Sequence, residues 1–274
     1  NFYFFELILY KLKIMKICIV TTPIRPVPTA FPPFGSLAII QSLEGDGKKC
    51  DFYHIDFHRY SRKEVKEYFF KNNFDIVGIS AVVSTAYEYT KFLSKLIKSK
   101  NPKAKVIVGG GLAASAEVLH RKADVDYTVI GDGEIIVKNL INAIVKHKTT
   151  DSPNFEILRK DGSLDYYIAD RGGRTYDPDK NFKGGKTAVV IVAKGCVARC
   201  TFCHRFEKGY RVSPLEKIKN HLISLKENYG VRYISIGDEN FGSYKQETLE
   251  LAKMLGDLGF TWSVGGVRAH TVDY

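Results

Sequence analysis

The feature that most constrains this chain is the alternation, across residues 16–148, of short apolar runs with amphipathic stretches. Glycine, serine or proline follows most of these runs. Residues 17–20, 50–57, 76–83, 106–108 and 127–130 read as strands. Helices are expected between them. One covers residues 34–43 and stops at Gly45-Asp46-Gly47, and another covers residues 63–71. A third covers residues 85–100, with Phe92, Leu93, Leu96 and Ile97 on one face and Asn101-Pro102 at its end. The last covers residues 134–147, with Ile136, Leu140 and Ile144 on one stripe. Strands joined through helices pair in parallel and are covered on both faces. The expected fold class is therefore α/β, beginning with a doubly wound parallel, Rossmann-like sheet. Such sheets bind ligands outside the carboxyl ends of their strands. Here those ends carry residues 21–35, 80–84, 109–111 and 131–134.

Residues 149–186 lack sustained periodicity and hold the turn pairs Asp161-Gly162, Gly172-Gly173, Asp177-Pro178 and Gly184-Gly185. They are expected to form a connecting segment with one short hairpin. The alternation resumes at residue 187. An apolar run at 188–193 reads as a buried strand, and Gly195 follows it. A helix is expected at 214–229, where Leu215, Ile218, Leu222, Leu225 and Tyr229 recur every three or four residues. A strand at 233–236 runs into Gly237-Asp238-Glu239-Asn240-Phe241, a helix spans 245–258, and a strand at 260–264 runs into Gly265-Gly266-Val267-Arg268. The expected division is an extra N-terminal segment at 1–14, a sheet domain at 15–148, the connection at 149–186 and a second β/α domain at 187–274.

Cys196, Cys200 and Cys203 stand as C-x3-C-x2-C directly after the 188–193 run. Three closely spaced thiolates can hold three irons of a four-iron cluster and leave the fourth iron open to a substrate or cofactor. A zinc site with His204 as fourth ligand is the competing reading, although zinc motifs usually bring a second cysteine pair and none is present. A disulfide framework fits poorly with five cysteines, an odd number. Cys18 and Cys50 lie at the edges of strand patterns and read as buried structural thiols.

The formal net charge of +11 suggests an anionic partner, but the lysines are spread over helix faces rather than packed in a run. A solvated basic surface is the plainer reading, and a nucleic-acid partner is not expected. Residues 1–14 are apolar and aromatic but carry Glu6, Lys11 and Lys13. They are too short and too charged for a transmembrane segment and lack the pattern of a signal peptide. Met15 is the expected initiator, with an amphipathic membrane-surface helix as the alternative for the upstream residues. Reduced thiols imply a cytoplasmic setting.

The cysteine loop, with Phe202 just before its last cysteine, resembles that of the radical S-adenosylmethionine (SAM) enzymes. The resemblance implies that Cys196, Cys200 and Cys203 ligate a [4Fe-4S] cluster, that the open iron chelates SAM, and that reductive cleavage yields a 5′-deoxyadenosyl radical. It implies a partial (β/α)6 barrel over residues 187–274. Gly237, Asp238 and Glu239 would then meet SAM's amino group, and Asp238-Glu239-Asn240-Phe241 resembles the acidic-acidic-x-Phe of relatives with a cobalamin domain. Phe202 and Arg268 would be further cofactor contacts, with a solvated arginine as the plain alternative for the latter. Three barrel strands are counted where the family has six, so a fragment, a truncated product or one part of a split enzyme is expected.

The N-terminal half resembles the cobalamin-binding domain of one large radical SAM class. Ser80 and Val82 fall where that family has Ser-x-Leu, and Gly110-Gly111 follows the fourth strand. Gly131, Gly133 and Glu134 open the last helix, and Phe31-Pro32-Pro33-Phe34-Gly35 resembles the first loop. These residues are the expected cobalamin contacts. The Asp-x-His-x-x-Gly motif that supplies a cobalt-ligating histidine is absent, which leaves the lower face of the cobalt open or held otherwise. A generic flavodoxin-like or nucleotide-binding sheet remains the competing reading, since the chain has neither G-x-G-x-x-G nor a P-loop.

The function so implied is methyl transfer to an unactivated carbon of a small-molecule or lipid-like substrate, with [4Fe-4S], SAM and cobalamin as cofactors. The electron donor would be a flavodoxin or ferredoxin. The alternatives are a rearrangement or cyclisation enzyme of the same class, a radical SAM enzyme without corrinoid, and a non-catalytic cobalamin carrier or sensor.

Overall fold

The structure is a computed structural model that describes residues 15–29, 32–145, 186–201, 203 and 209–272. The segment 1–14, most of the connection, Phe202 and His204 lie outside the described residues. The chain divides into two compact units, one built on residues 15–29 and 33–145 and the other on residues 186–272.

The first unit is a five-stranded sheet. Its strands are β1 (Ile17–Thr21), β2 (Cys50–His54), β3 (Ile76–Ser80), β4 (Lys105–Gly109) and β5 (Tyr127–Val129), in the order β2-β1-β3-β4-β5. Every neighbouring pair is parallel. The helices are α1 (Phe34–Gly45), α2 (Ile55–His58), α3 (Arg62–Lys71), α4 (Tyr87–Lys100), α5 (Ala116–Lys122) and α6 (Gly133–Val145). Successive strand side chains point to opposite faces, so a continuous apolar run supplies two cores. Cys18, Val20, Val77, Ile79, Val106 and Val108 pack with Val65 and Phe69 of α3 and Leu93, Leu96 and Ile97 of α4. Ile17, Ile19, Ile76, Ile107 and Val129 pack on the other face with Ile40 and Leu43 of α1 and Ile136, Leu140 and Ile141 of α6. Each such side chain that is fully buried stabilises the fold by about 1.5–3 kcal/mol relative to leaving it exposed.

The expected α/β architecture is present, with local differences. The run at 50–57 is not one strand: β2 ends at His54 and the chain turns helical at Ile55. Asp56 causes the turn. Its N–H donates to Thr21 Oγ1 at 3.2 Å, and its buried carboxylate accepts from the N–H groups of Ile24 at 3.3 Å and Thr29 at 3.2 Å. One side chain thus organises the proline-rich loop after β1. The run at 76–83 leaves the sheet after Ser80, and Ser84–Ala86 forms a 3₁₀ turn before α4. α5 and the 3₁₀ turn Gly111–Ser115 before it were not expected. On α5 only Leu119 is buried, so its sequence carries no apolar stripe. Helix α3 starts at a capping box, with Ser61 accepting from the Glu64 N–H and the Glu64 carboxylate accepting from the Ser61 N–H.

The second unit contains β6 (Lys186–Val190), β7 (Ala193–Cys196), β8 (Gly209–Val212), α7 (Leu215–Tyr229), β9 (Val231–Ile236), α8 (Lys245–Asp257) and β10 (Thr261–Val264). β6, β9 and β10 form a parallel sheet in the order β10-β9-β6. With α7 and α8 they make two successive β/α repeats of a partial barrel. Val190, Ile234 and Ile236 pack with Ile218 and Leu222 of α7 and Leu251 and Leu255 of α8. The 188–193 run is not a single strand. It leaves the parallel sheet after Val190 and restarts at Ala193 in an antiparallel hairpin with β8, a strand the sequence did not announce.

Candidate functional site

Two sets of strand ends carry the expected residues, one in each unit. In the first unit the strand order reverses between β1 and β3, and a crevice opens at such a switch point. Thr21 and Ser80 are paired in register at these two carboxyl ends, and Ser80 is in turn paired with Gly109. Thr22 closes the first loop over β3, donating through its N–H at 3.2 Å and its hydroxyl at 3.0 Å to the Ser80 carbonyl.

The glycines after β4 have a definite steric reason. Gly110 has φ +85°, and a Cβ there would lie 2.6 Å from the Ala81 carbonyl oxygen. A Cβ on Gly111 would lie 2.4 Å from the Val82 carbonyl oxygen. The β3 and β4 loops therefore nest backbone on backbone, held by Ala81 N–H to Gly109 O at 2.9 Å and Leu112 N–H to Ala81 O at 3.0 Å. This nesting turns Val82 outward, 54% exposed, at the rim of the sheet. Gly131 lies in the turn between β5 and α6, and Gly133 starts α6 where a Cβ would meet the Ile39 side chain at 2.8 Å. Glu134 is buried, and its carbonyl accepts from Ser42 Oγ at 2.7 Å, which ties α6 to α1. Ser80, Val82, Gly110, Gly111 and Gly131 thus share the carboxyl edge of one sheet, while Gly133 and Glu134 fix the neighbouring helix. An exposed apolar residue rimmed by backbone and small side chains suits a large, flat macrocycle such as cobalamin.

In the second unit the β7–β8 hairpin carries the cysteine loop. Gly195 has φ +88°, and a Cβ on it would fall 2.2 Å from the Gly209 carbonyl oxygen across the hairpin. Only glycine fits there. Cys196 ends β7 half-buried and its Sγ accepts from the Ala198 N–H at 3.3 Å, while Cys200 and Cys203 are exposed. Cys203 N–H donates to the Cys200 carbonyl at 3.1 Å. No group of three His, Cys, Asp or Glu side chains is gathered for a metal ion among the described residues, the triad included. The donor chemistry nevertheless fits an iron–sulfur cluster: three free thiols on one accessible loop, one of them already receiving a backbone N–H.

The β9 end lies in the same unit. Gly237 packs closely, since a Cβ on it would meet Ile191 Cδ1 at 2.8 Å and Val189 Cγ1 at 3.0 Å. Asp238 is only 7% exposed. Its Oδ1 accepts from the N–H groups of Val192 at 2.8 Å and Ala193 at 3.1 Å, and its buried Oδ2 has no hydrogen-bond partner among the described residues. Burial pushes the Asp238 carboxyl up to about 7 against the pull of the two backbone N–H bonds, and the neighbouring Glu239 adds to the rise. Glu239 itself is exposed. Gly266, after β10, approaches this loop so closely that a Cβ would lie 2.8 Å from the Glu239 carbonyl oxygen, and Phe241 N–H donates to the Gly266 carbonyl at 3.2 Å. Arg268 is half-buried just beyond.

Tyr210 was not expected from the sequence. It is buried on β8 opposite Gly195, and its ring meets Tyr244 edge-on at 5.1 Å. Burial, with Asp238 next in effect, pushes its phenol up to about 12. Only the antiparallel partner of the cysteine strand could have revealed it, and that strand was hidden in an unpatterned stretch.

Comparison with known proteins agrees with this fold. Residues 21–141 match the B12 binding domain family. The chain is 28% identical to an uncharacterised methyltransferase of Pyrococcus horikoshii, covering 88% of this chain and 57% of that protein. It is 24% identical to the anaerobic magnesium-protoporphyrin IX monomethyl ester cyclase of Synechocystis sp., covering 76% and 45%. Among solved structures it superposes on TsrM, a radical SAM methyltransferase from Kitasatospora setae solved with tryptophan substrate and a SAM analogue. That match has a TM-score of 0.68 at 20% identity and covers 88% of this chain and 51% of the other. In class, then, the chain is an α/β protein whose residues 21–141 are similar to the B12 binding domain family. More particularly, its fold resembles that of TsrM and, with a TM-score of 0.59 at 15% identity over 86% of this chain and 36% of the other, that of OxsB, a cobalamin-dependent radical SAM enzyme. It spans about half the length of the curated relatives it matches. No helix among the described residues is long and apolar enough to cross a membrane.

Proposed function

We propose that this chain is the cobalamin- and cluster-binding part of a radical SAM methyltransferase acting on an unactivated carbon of a small-molecule substrate. One observation carries the reading: a C-x3-C-x2-C loop, held on a glycine-dependent hairpin, follows a B12 binding domain in the same chain. Ser80, Val82, Gly110, Gly111 and Gly131 would line the corrinoid, with Gly133 and Glu134 setting the adjacent helix. Cys196, Cys200 and Cys203 would hold a [4Fe-4S] cluster, with Phe202 beside them. Gly237, Glu239 and Arg268 would meet SAM, the exposed carboxylate accepting from its ammonium and the guanidinium facing its carboxylate. The corrinoid, the cluster and SAM would together supply a hydrogen-abstracting radical, an electron path and a transferable methyl group, which no side chain of the protein can.

The chain's own share is placement. The nested β3 and β4 loops present a backbone rim whose close approach a Cβ at Gly110 or Gly111 would break. The hairpin sets Gly195, the residue before Cys196, opposite the buried Tyr210. The relatives include both a methyltransferase and a ring-forming cyclase, so methyl transfer and cyclisation are separated by experiment. The chain would be reconstituted anaerobically with cluster and hydroxocobalamin, reduced, and given SAM with a deuterated methyl group. The expected products are 5′-deoxyadenosine and cobalamin carrying the labelled methyl. 5′-Deoxyadenosine with no label on cobalamin would overturn the methyltransferase reading and favour cyclisation or rearrangement.

A further inference from the structure

Asp238 stands at an unusual point of the second unit. Between Val190 and Ala193 the chain leaves the parallel sheet and enters the hairpin that delivers Cys196. A chain that changes sheets gives up regular ladder partners, and its buried amides must find others. Here one carboxylate oxygen from the end of β9, some 45 residues away in sequence, takes both Val192 N–H and Ala193 N–H. The other side of the same peptide is pinned too, because the Val192 carbonyl accepts from Ser213 N–H at 2.8 Å at the exit of β8. Gly237 N–H, one residue before Asp238, donates to the Val190 carbonyl at 2.9 Å. The β9 end is thereby stitched to both sides of the crossover. The carboxylate is buried and already engaged, whereas its neighbour Glu239 is exposed.

We propose that Asp238 is a positioning residue for the cysteine loop: its Oδ1 fixes the Val192–Ala193 crossover and, through it, the strand that carries Cys196. The proposal rests on the cluster assignment above and gives the acidic pair two separate tasks. Glu239 faces ligand, and Asp238 holds the protein to itself. Any movement of the β9-end loop on binding SAM is then transmitted to the first cluster cysteine through two hydrogen bonds.

Asp238→Asn keeps an oxygen acceptor in the same place, and Asp238→Ala removes it. Hydrogen exchange in the full chain without cofactors reads the clamp directly. In Asp238→Ala the Val192 and Ala193 amides should exchange faster by about 10- to 100-fold, the range expected when a buried hydrogen bond is lost. In Asp238→Asn they should stay within about threefold of the parent, since the acceptor survives. After reconstitution, the SAM-dependent change in the electron paramagnetic resonance spectrum of the reduced cluster should be lost in Asp238→Ala and restored in Asp238→Asn. Unchanged exchange in Asp238→Ala would overturn the clamp. Parent-like exchange in Asp238→Asn combined with a loss of SAM affinity of about tenfold or more would overturn the division of tasks between Asp238 and Glu239, because the charge would then be acting on the ligand. If Asp238→Ala does not fold, loss of Val192 and Ala193 protection in the folded Asp238→Asn chain would overturn the clamp. If the parent chain takes up no cluster, the functional reading fails, and the exchange experiment still decides whether Asp238 holds the crossover.

Discussion

The two units solve the same packing problem with different margins. The first sets five parallel strands between two apolar layers, so its central strands β1, β3 and β4 are held from both faces. The second has three parallel strands with one apolar layer formed by α7 and α8, and it hangs its cysteine loop on a separate two-stranded hairpin. A two-stranded hairpin alone is marginal in water. This one therefore depends on particular contacts: the Gly195–Gly209 approach, the Asp238 clamp and the buried Tyr210. The comparison teaches that the site of the first unit rests on a broad core, whereas the site of the second rests on a few individual atoms.

The largest expected effect breaks the second unit alone. Gly195→Val adds a Cβ 2.2 Å from the Gly209 carbonyl oxygen at a positive φ. It should cost at least about 3 kcal/mol at the hairpin and abolish iron uptake. Cobalamin uptake should persist, and an iron assay beside a cobalamin absorbance titration checks both. The matching lesion in the first unit is Gly110→Ala, where the Cβ meets the Ala81 carbonyl at 2.6 Å. About 1–3 kcal/mol of strain should fall on the β3–β4 loops, weakening cobalamin binding while iron uptake is kept.

Asp238 sharpens the contrast through pH. Its carboxyl is pushed up to about 7 by burial, well above its ordinary value. The folded state then holds a proton that the unfolded chain releases in the range between. The resulting stabilisation is fully present below the ordinary carboxyl range and is lost as pH rises to about 7. Denaturation of the second unit should show stability falling between about pH 4 and pH 7, and Asp238→Asn should flatten that slope. A slope that persists in the variant would remove Asp238 as its source. The smallest effect is at the edge of the first unit: Ser61→Ala removes the α3 cap and should cost about 1 kcal/mol in a urea melt, with both cofactor sites unaffected.

Much of the first unit was readable because its signals are local. β1, β3, β4 and β5 are continuous apolar runs, and the glycines that follow β4 and β5 mark strand ends. β2 was read too long because Asp56 takes its partners from the loop after β1, some 30 residues earlier. α5 escaped notice because it buries a single leucine. In the second unit the three cysteines were legible by spacing, but their support was not. The 188–193 run looks uniform although it serves two sheets, and nothing local marks where it divides. Asp238 was read as ligand-facing because, by resemblance to the radical SAM enzymes, Gly237-Asp238-Glu239 falls where that family meets SAM's amino group. Its hydrogen bonds to Val192 and Ala193 join positions that only the parallel pairing of β6 and β9 brings together.

The central claim is that one chain holds both a corrinoid and an open-iron cluster. The most direct test is iron, sulfide and cobalt content per chain after anaerobic reconstitution, beside a Cys200→Ala control. The account predicts about four irons and about one cobalt per chain, with iron lost and cobalt retained in the control. Cobalt without iron in the parent chain would contradict it and leave a cobalamin carrier, and iron without cobalt would remove the corrinoid from the first unit.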